Sequence, residues 1–146
     1  MSTPEFEIAL DTFRRIQERF PQLTMKLDRE HPHVEVALDI PQQPGLDFHV
    51  NLNLQNRDEL HIVAGAFWCE WFPCTSPAKV DEYFNAVIGL VEGRYRILEH
   101  RRGSRVVRAE LQRPIGTGWE TVSRWLTLSL PWPRKETRVL QNAPAT

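Results

Sequence analysis

Hydrophobic residues recur at helical spacing in two parts of the chain. The first run extends from Pro4 to Phe20 and is followed by Pro21, and the second extends from Ser76-Pro77 to Gly93. A hydroxyl residue and a proline open each run, which suits the N-cap and the first turn of a helix. We therefore predict two amphipathic helices, each of which packs one apolar side on another layer.

Most other hydrophobic residues alternate with polar ones, which is typical of half-buried β-strands. Residues 33–40 and 48–54 alternate in this way, and a third run starts near Glu59 and continues toward Trp68. The short segment Leu23–Arg29 is extended in character and predicts an edge strand. We therefore expect a meander of antiparallel strands between the two helices.

Two further segments follow the second helix. Residues 95–99 and 105–112 predict a hairpin that turns at Arg101-Arg102-Gly103-Ser104. Residues 118–130 fit either a helix that begins with a capping box or a strand in which every second residue is apolar, and we favour the strand. Because prolines end this run, we expect residues 131–146 to form a mobile tail.

These elements predict one α+β domain over residues 1–130. The order is helix, three strands, helix, two strands and then a further strand or helix. Antiparallel meanders with helices on one side form two layers. We therefore expect an antiparallel sheet of about five to six strands with both main helices packed on one face. A length of 146 residues is typical of a single domain with one core.

This element order, over about residues 4–130, resembles that of class I type III secretion chaperones. The resemblance extends to loosely placed residues such as Leu27-Asp28 after the first helix. The resemblance implies a small chaperone-like α+β domain that binds another protein. Those chaperones are acidic throughout, whereas the C-terminal third of this chain is rich in arginine.

Charge is distributed unevenly along the chain, although the net charge is only −1. Residues 1–93 carry seven Lys/Arg and fifteen Asp/Glu, whereas residues 94–146 carry eleven and four. A difference of this kind bears on partners and not on the fold. Arginine guanidiniums bind carboxylates and phosphates. The candidate partner-binding arginines are therefore Arg94, Arg96, Arg101, Arg102 and Arg105.

The stretch AFWCEWFPC, residues 66–74, contains both cysteines together with two tryptophans and two phenylalanines. Two cysteines spaced C-x4-C supply at most half of a zinc ligand set, and the C-x-x-C redox motif is absent. We therefore predict free thiols and no metal or cofactor. Aromatic clusters of this kind pack in a core or at an interface. The candidate partner-binding aromatic residues are Trp68, Trp71 and Phe72.

The polar face of the predicted meander offers a second candidate site. We pair Leu54 with Leu60, and Asp39 with Asp47. One polar row across three strands then consists of His33, Asn53 and His61, and Glu35 and Asn51 lie in the row beside it. The two histidines would be roughly 10 Å apart, which is wide for one metal ion. A solvated polar face is the simpler interpretation, and a metal or acid/base site is the alternative.

The functional alternatives fall into three classes. No nucleophile elbow, P-loop or H-E-x-x-H motif occurs in the sequence, so an enzyme is less favoured. We expect a non-enzymatic protein-interaction module, such as an adaptor, a chaperone-like protein or an immunity-type inhibitor, that binds a protein partner or a second copy of itself. The alternatives are nucleic-acid or anion binding through the arginine hairpin, which the net charge does not favour for duplex DNA, and a small enzyme that uses the His33/Asn53/His61 face.

The sequence also predicts where the protein resides. No apolar run approaches the roughly 20 residues of a membrane span. The N-terminus MSTPEFEIAL lacks the basic region of a signal peptide, and two cysteines are too few for a disulfide framework. We therefore expect a cytoplasmic protein without membrane association.

Overall fold

The computed structural model describes residues 2–143 and has an α+β fold, as predicted. This part of the chain contains two α-helices and nine β-strands, and the strands form two antiparallel sheets rather than one. The helices are α1 (Pro4–Arg19) and α2 (Pro77–Glu92), and the strands are β1 (Lys26–Asp28), β2 (Val36–Ile40), β3 (Val50–Gln55), β4 (Glu59–Ala64), β5 (Phe67–Trp71), β6 (Arg96–Arg102), β7 (Arg105–Ile115), β8 (Gly118–Leu126) and β9 (Lys135–Leu140).

Both predicted helices are confirmed, and each begins at the expected capping residue. The Thr3 hydroxyl accepts a hydrogen bond from the Phe6 N–H at 3.2 Å, and Pro4 lies in the first turn of α1. Ser76 is the N-cap of α2, and Gly93 ends this helix with φ +84°. Such a left-handed residue at the end of a helix favours glycine. Neither helix within residues 2–143 is long and apolar enough to cross a membrane.

The first sheet is a five-stranded meander in the order β1-β2-β3-β4-β5, in which β1 is the predicted edge strand. On its inner face α1 lies against β2 and β3, and α2 lies against β5. The residues of this face are almost completely buried: Val36, Leu38, Ile40, Val50, Leu52, Leu54, Leu60, Ile62 and Ala64. Burial of one face alone explains the alternation of apolar and polar residues in these strands.

The third predicted run is not one strand. The chain reverses at a two-residue turn that starts at Gly65, where φ is +56°, and β4 and β5 form a hairpin. The reversal changes which side chains face the core. Phe67 and Trp71 are buried on the inner face, whereas Trp68 lies opposite Val63 on the outer face and is half exposed. The predicted run from Glu59 toward Trp68 is therefore two strands, and Trp68 lies on the face opposite to that of Leu60, Ile62 and Ala64.

The chain after α2 forms the second sheet, in the order β8-β7-β6-β9. The strand interpretation of residues 118–130 is confirmed for β8. Residues 135–140 of the predicted mobile tail are the edge strand β9, which pairs with β6 through its backbone. Most side chains of β9 are exposed, so that no apolar alternation in the sequence indicates this strand. Residues 144–146 of that tail lie outside the described residues.

The two sheets meet at the turn between β4 and β5. The Ala66 N–H donates a hydrogen bond to Glu99 Oε2, and the Trp125 indole N–H donates to the Ala66 carbonyl, both at 2.9 Å. Cys69 Sγ lies 2.6 Å from Ser123 Oγ, between β5 and β8. Buried apolar residues of the second sheet join the core of the first: Ile97, Ala109, Leu111 and Leu140.

Candidate functional site

The structure does not bring His33 together with Asn53 and His61. Asn53 does lie opposite His61, as predicted, but Asn53 pairs on its other side with Ala37. His33 is exposed in the loop before β2. The predicted pairing of Asp39 with Asp47 is wrong, because the connection between β2 and β3 spans residues 41–49 and Asp39 pairs with Asn51, a shift of the register by four residues.

The polar side chains of this face bind one another along β3. Asn51 Nδ2 donates to Asp39 Oδ1 at 3.2 Å, Asn53 Nδ2 donates to Asn51 Oδ1 at 3.0 Å, and Gln55 Nε2 donates to Asn53 Oδ1 at 3.0 Å. The other predicted residue of this face, Glu35, accepts a hydrogen bond from the Arg57 N–H at 3.2 Å. These hydrogen bonds pair the polar side chains of this face with one another. Within residues 2–143, no three His, Cys, Asp or Glu side chains are placed to hold a metal ion.

His61 and Glu59 form a separate pair at the end of the same face. His61 Nε2 lies 3.1 Å from Glu59 Oε1, and the Asn56 side chain donates to the same oxygen at 3.1 Å. The hydrogen bond from Asn56 is the main reason that the pKa of Glu59 is lowered, with a further contribution from His61. The carboxylate is therefore ionised at neutral pH, which suits a structural hydrogen-bond acceptor.

The aromatic cluster divides between the core and the surface. Trp71 is buried, and its ring packs edge-on against Tyr83 with the ring centroids 5.5 Å apart. Trp68 and Phe72 are each about half exposed on the outer face of β5 and just beyond it. Burial raises the pKa of the Cys69 thiol and raises that of Cys74 to about 11, so neither sulfur is an activated thiolate. Trp71 therefore serves the core, and only Trp68 and Phe72 offer surface for a partner.

The five candidate arginines have different environments. Arg94 is exposed and lies 3.2 Å from Glu92, at the end of α2. Arg96 stacks over the ring of Trp119, with its guanidinium carbon 4.0 Å from the ring centroid. Arg101 lies beside the buried Glu99, with Nε 3.7 Å from Oε1. The remaining two, Arg102 and Arg105, contact the chain that follows β8.

That chain carries the most exposed apolar side chains of the structure. Four large residues alternate along it, and their side chains are exposed to 64%, 90%, 62% and 65%: Leu126, Leu128, Leu130 and Trp132. We call these four residues the apolar ridge. Leu126 ends β8, residues 127–130 continue the chain without a turn or bend, and the chain bends at Pro131 and Pro133. Between Leu128 and Leu130, the Ser129 hydroxyl accepts a hydrogen bond from Arg102 Nε at 3.1 Å.

The hairpin between β6 and β7 holds the apolar ridge in place. Arg105 Nη2 donates to the Leu128 carbonyl at 2.6 Å, and Arg102 Nη1 donates to the Pro133 carbonyl at 3.1 Å. At the start of the ridge the Thr127 N–H donates to the Val107 carbonyl at 2.9 Å, which continues the pairing of β7 with β8. The exposed leucines are thus presented on a backbone that is anchored at several points.

Exposed apolar side chains are concentrated in this region. Among residues 2–143, seven of the ten large exposed hydrophobic residues lie between Ile115 and Val139, and the other three are Val63, Trp68 and Phe72. Exposed apolar patches on soluble domains mark interaction surfaces. The sequence shows the alternation at Leu126–Trp132, and this signal indicates a strand. The sequence alone does not predict whether another layer of the fold covers these leucines.

Searches against protein-family models, curated proteins and solved structures found no match to this chain.

Proposed function

We propose that this protein is a non-enzymatic protein-interaction module that binds its partner through the apolar ridge. The observation that supports the proposal is the set of four large apolar residues, each more than 60% exposed, on a backbone that hydrogen bonds from Arg102 and Arg105 anchor. An adaptor, a chaperone-like protein or an immunity-type inhibitor would each use such a surface. We further propose a cytoplasmic location, since two cysteines are too few for a disulfide framework.

The size of the ridge suits a contact of moderate strength. Fully burying one leucine contributes about 1.5–3 kcal/mol. Four such side chains would contribute about 6–12 kcal/mol if fully buried, which is comparable with the roughly 4–15 kcal/mol that association costs. The exposed Trp68 and Phe72 form a second apolar area that would enlarge the interface if the partner reaches β5.

The test compares one ridge variant with one matched surface variant. Leu130→Ser removes a ridge side chain that is 62% exposed, and Ile115→Ser removes an apolar side chain of similar exposure, 57%, outside the ridge. Both changes are on the surface, so the free energy of unfolding of each variant should stay within about 0.5 kcal/mol of wild type. Tagged wild type and both variants are used to capture partners from the native host, and captured proteins are identified by mass spectrometry.

We expect wild type and Ile115→Ser to capture the same protein in similar amounts, and Leu130→Ser to lose it. With the partner purified, calorimetric titration should show that Leu130→Ser weakens binding by about tenfold or more, which corresponds to 1.4 kcal/mol. Equal affinity of Leu130→Ser and wild type for every captured protein would contradict the proposal.

A further inference from the structure

Within residues 2–143, the β8 edge of the second sheet has backbone groups that pair with no other strand. β8 is the outermost strand next to β7, and the Thr127 N–H points toward β7, where it meets the Val107 carbonyl. Backbone groups of alternate residues point to opposite sides of an antiparallel strand. Arg124 and Leu126 therefore direct their N–H and C=O groups away from β7, to the free edge. These groups lie at the start of the apolar ridge.

Several cations of the second sheet, and of the segment that carries the ridge, have no carboxylate partner within residues 2–143. Arg101, Arg108, Arg113 and Arg124 each lie within 4.0 Å of a carboxylate. Within residues 2–143, no carboxylate lies this close to five other cations of the second sheet and the segment that joins β8 to β9: Arg102, Arg105, Arg134, Lys135 and Arg138. Between residues 121 and 143 the only acidic residue is Glu136.

The two hairpin arginines are oriented without being neutralised. In the described part of the chain, Arg102 and Arg105 donate to a hydroxyl and to carbonyls but to no carboxylate, and their acceptors are Ser129 Oγ and the backbone oxygens of Leu128 and Pro133. Neutral acceptors hold a guanidinium in position but do not neutralise its positive charge, which can still attract an anion. A carboxylate that approaches the ridge therefore meets cations that are already in position, which reduces the ordering that binding requires.

We propose, on the basis of the proposed function, that β8 accepts an extended acidic segment of the partner as an added strand. The backbone of the segment pairs with the free groups of Arg124 and Leu126, and its apolar side chains at alternate positions pack on the ridge. Its carboxylates lie near the unpaired cations of the second sheet and of the segment that carries the ridge. A lipid surface would also meet apolar and basic side chains, but it supplies no backbone to pair with the free edge of β8, which is why the structure favours a peptide segment.

Synthetic peptides test this mode of binding on the full-length protein. The first probe is a ten-residue peptide in which Val and Glu alternate, and the second has Lys in place of Glu. Two further versions of the Val–Glu peptide carry N-methyl groups on all the Val or on all the Glu nitrogens. Fluorescence anisotropy of labelled peptides measures the affinity. In an added strand only one of the two alternating sets of N–H groups faces β8, so N-methylation of one set should abolish binding and that of the other should change it little.

We expect the Val–Glu peptide to bind and the Val–Lys peptide to bind at least tenfold more weakly. Replacing both Arg134 and Lys135 with Gln should weaken binding of the Val–Glu peptide about tenfold and flatten its salt dependence. Arg19→Gln is the control, because Arg19 ends α1, outside the second sheet, and is paired with Glu92. This control should bind the Val–Glu peptide as wild type does.

Three results would overturn the proposal. One is the absence of saturable binding of the Val–Glu peptide up to about 1 mM, the limit of weak specific affinity. Another is an equal effect of both N-methylated versions, which would indicate apolar contact without an added strand. The third is binding of the protein to phosphatidylglycerol vesicles together with no binding of the peptide. If Leu130→Ser loses a captured partner while the peptides fail, the interaction surface stands and only the added acidic strand is wrong.

Discussion

Replacing Gly65 with alanine tests the contact that joins the two sheets. Gly65 has φ +56° and begins the turn between β4 and β5. A Cβ atom at this position would lie 2.5 Å from Leu140 Cδ1 and 2.9 Å from Glu99 Oε2. Glu99 is buried and its Oε2 already accepts a hydrogen bond from the Ala66 N–H, so this carboxylate is not free to move away.

Gly116 provides a matched control for the backbone effect. It also has φ +56°, at the turn between β7 and β8, but a Cβ atom there would meet nothing within 4 Å. Alanine in the left-handed region costs about 1–2 kcal/mol at either position. Alanine also reduces the entropy of the unfolded chain equally at both. The two variants therefore differ only by overpacking, which typically destabilises by about 1–3 kcal/mol.

Urea unfolding followed by tryptophan fluorescence measures this difference. We expect Gly65→Ala to be less stable than Gly116→Ala by about 1–3 kcal/mol, with little change in the m value. For an m value of about 2 kcal/mol/M, the midpoint would differ by roughly 0.5–1.5 M urea. Leu140→Ala in the Gly65→Ala background should recover part of the loss, because the closest clash is with the end of this side chain. Identical midpoints for the two glycine variants would refute the contact between the sheets.

Three more predictions concern buried polar groups and a thiol. Burial acts to raise the pKa of Glu110, but hydrogen bonds from His100 and Arg108, together with the charges of these residues, outweigh it and lower this pKa from its ordinary value. Glu110→Gln should therefore reduce the free energy of unfolding at pH 7. The difference from wild type should shrink as the pH falls through the lowered pKa, because protonation of Glu110 removes the same stabilisation from wild type. Urea unfolding at pH 7 and at about pH 3 would measure both effects. Tyr83→Phe should destabilise by about 1 kcal/mol in the same assay, because the buried hydroxyl donates to a backbone carbonyl at 2.8 Å. With a pKa of about 11, the buried Cys74 thiol should resist iodoacetamide at pH 8 until urea unfolds the protein, as mass spectrometry would detect.

Local sequence signals determined the helices and much of the first sheet. Thr3-Pro4 and Gly93 mark helix ends because caps and turn glycines act on their own neighbours in the chain. The register of β3 with β4 follows from the apolar residues Leu54 and Leu60, since a slip by one residue would move every apolar side chain to the other face. The α+β class follows from these elements.

Tertiary structure alone decided the residues of the candidate site. His33 does not lie in the predicted polar row because β2 and β3 pair in a different register from the predicted one. The loop between these strands is long, and a long loop permits several registers that the sequence does not distinguish. Trp68 became exposed and Trp71 buried because the chain reverses at Gly65. Apolar alternation in Leu126–Trp132 shows which side chains share a side, but exposure depends on whether another layer covers that side. Such a layer is set by contacts between distant segments, and these depend on the whole fold rather than on local pattern.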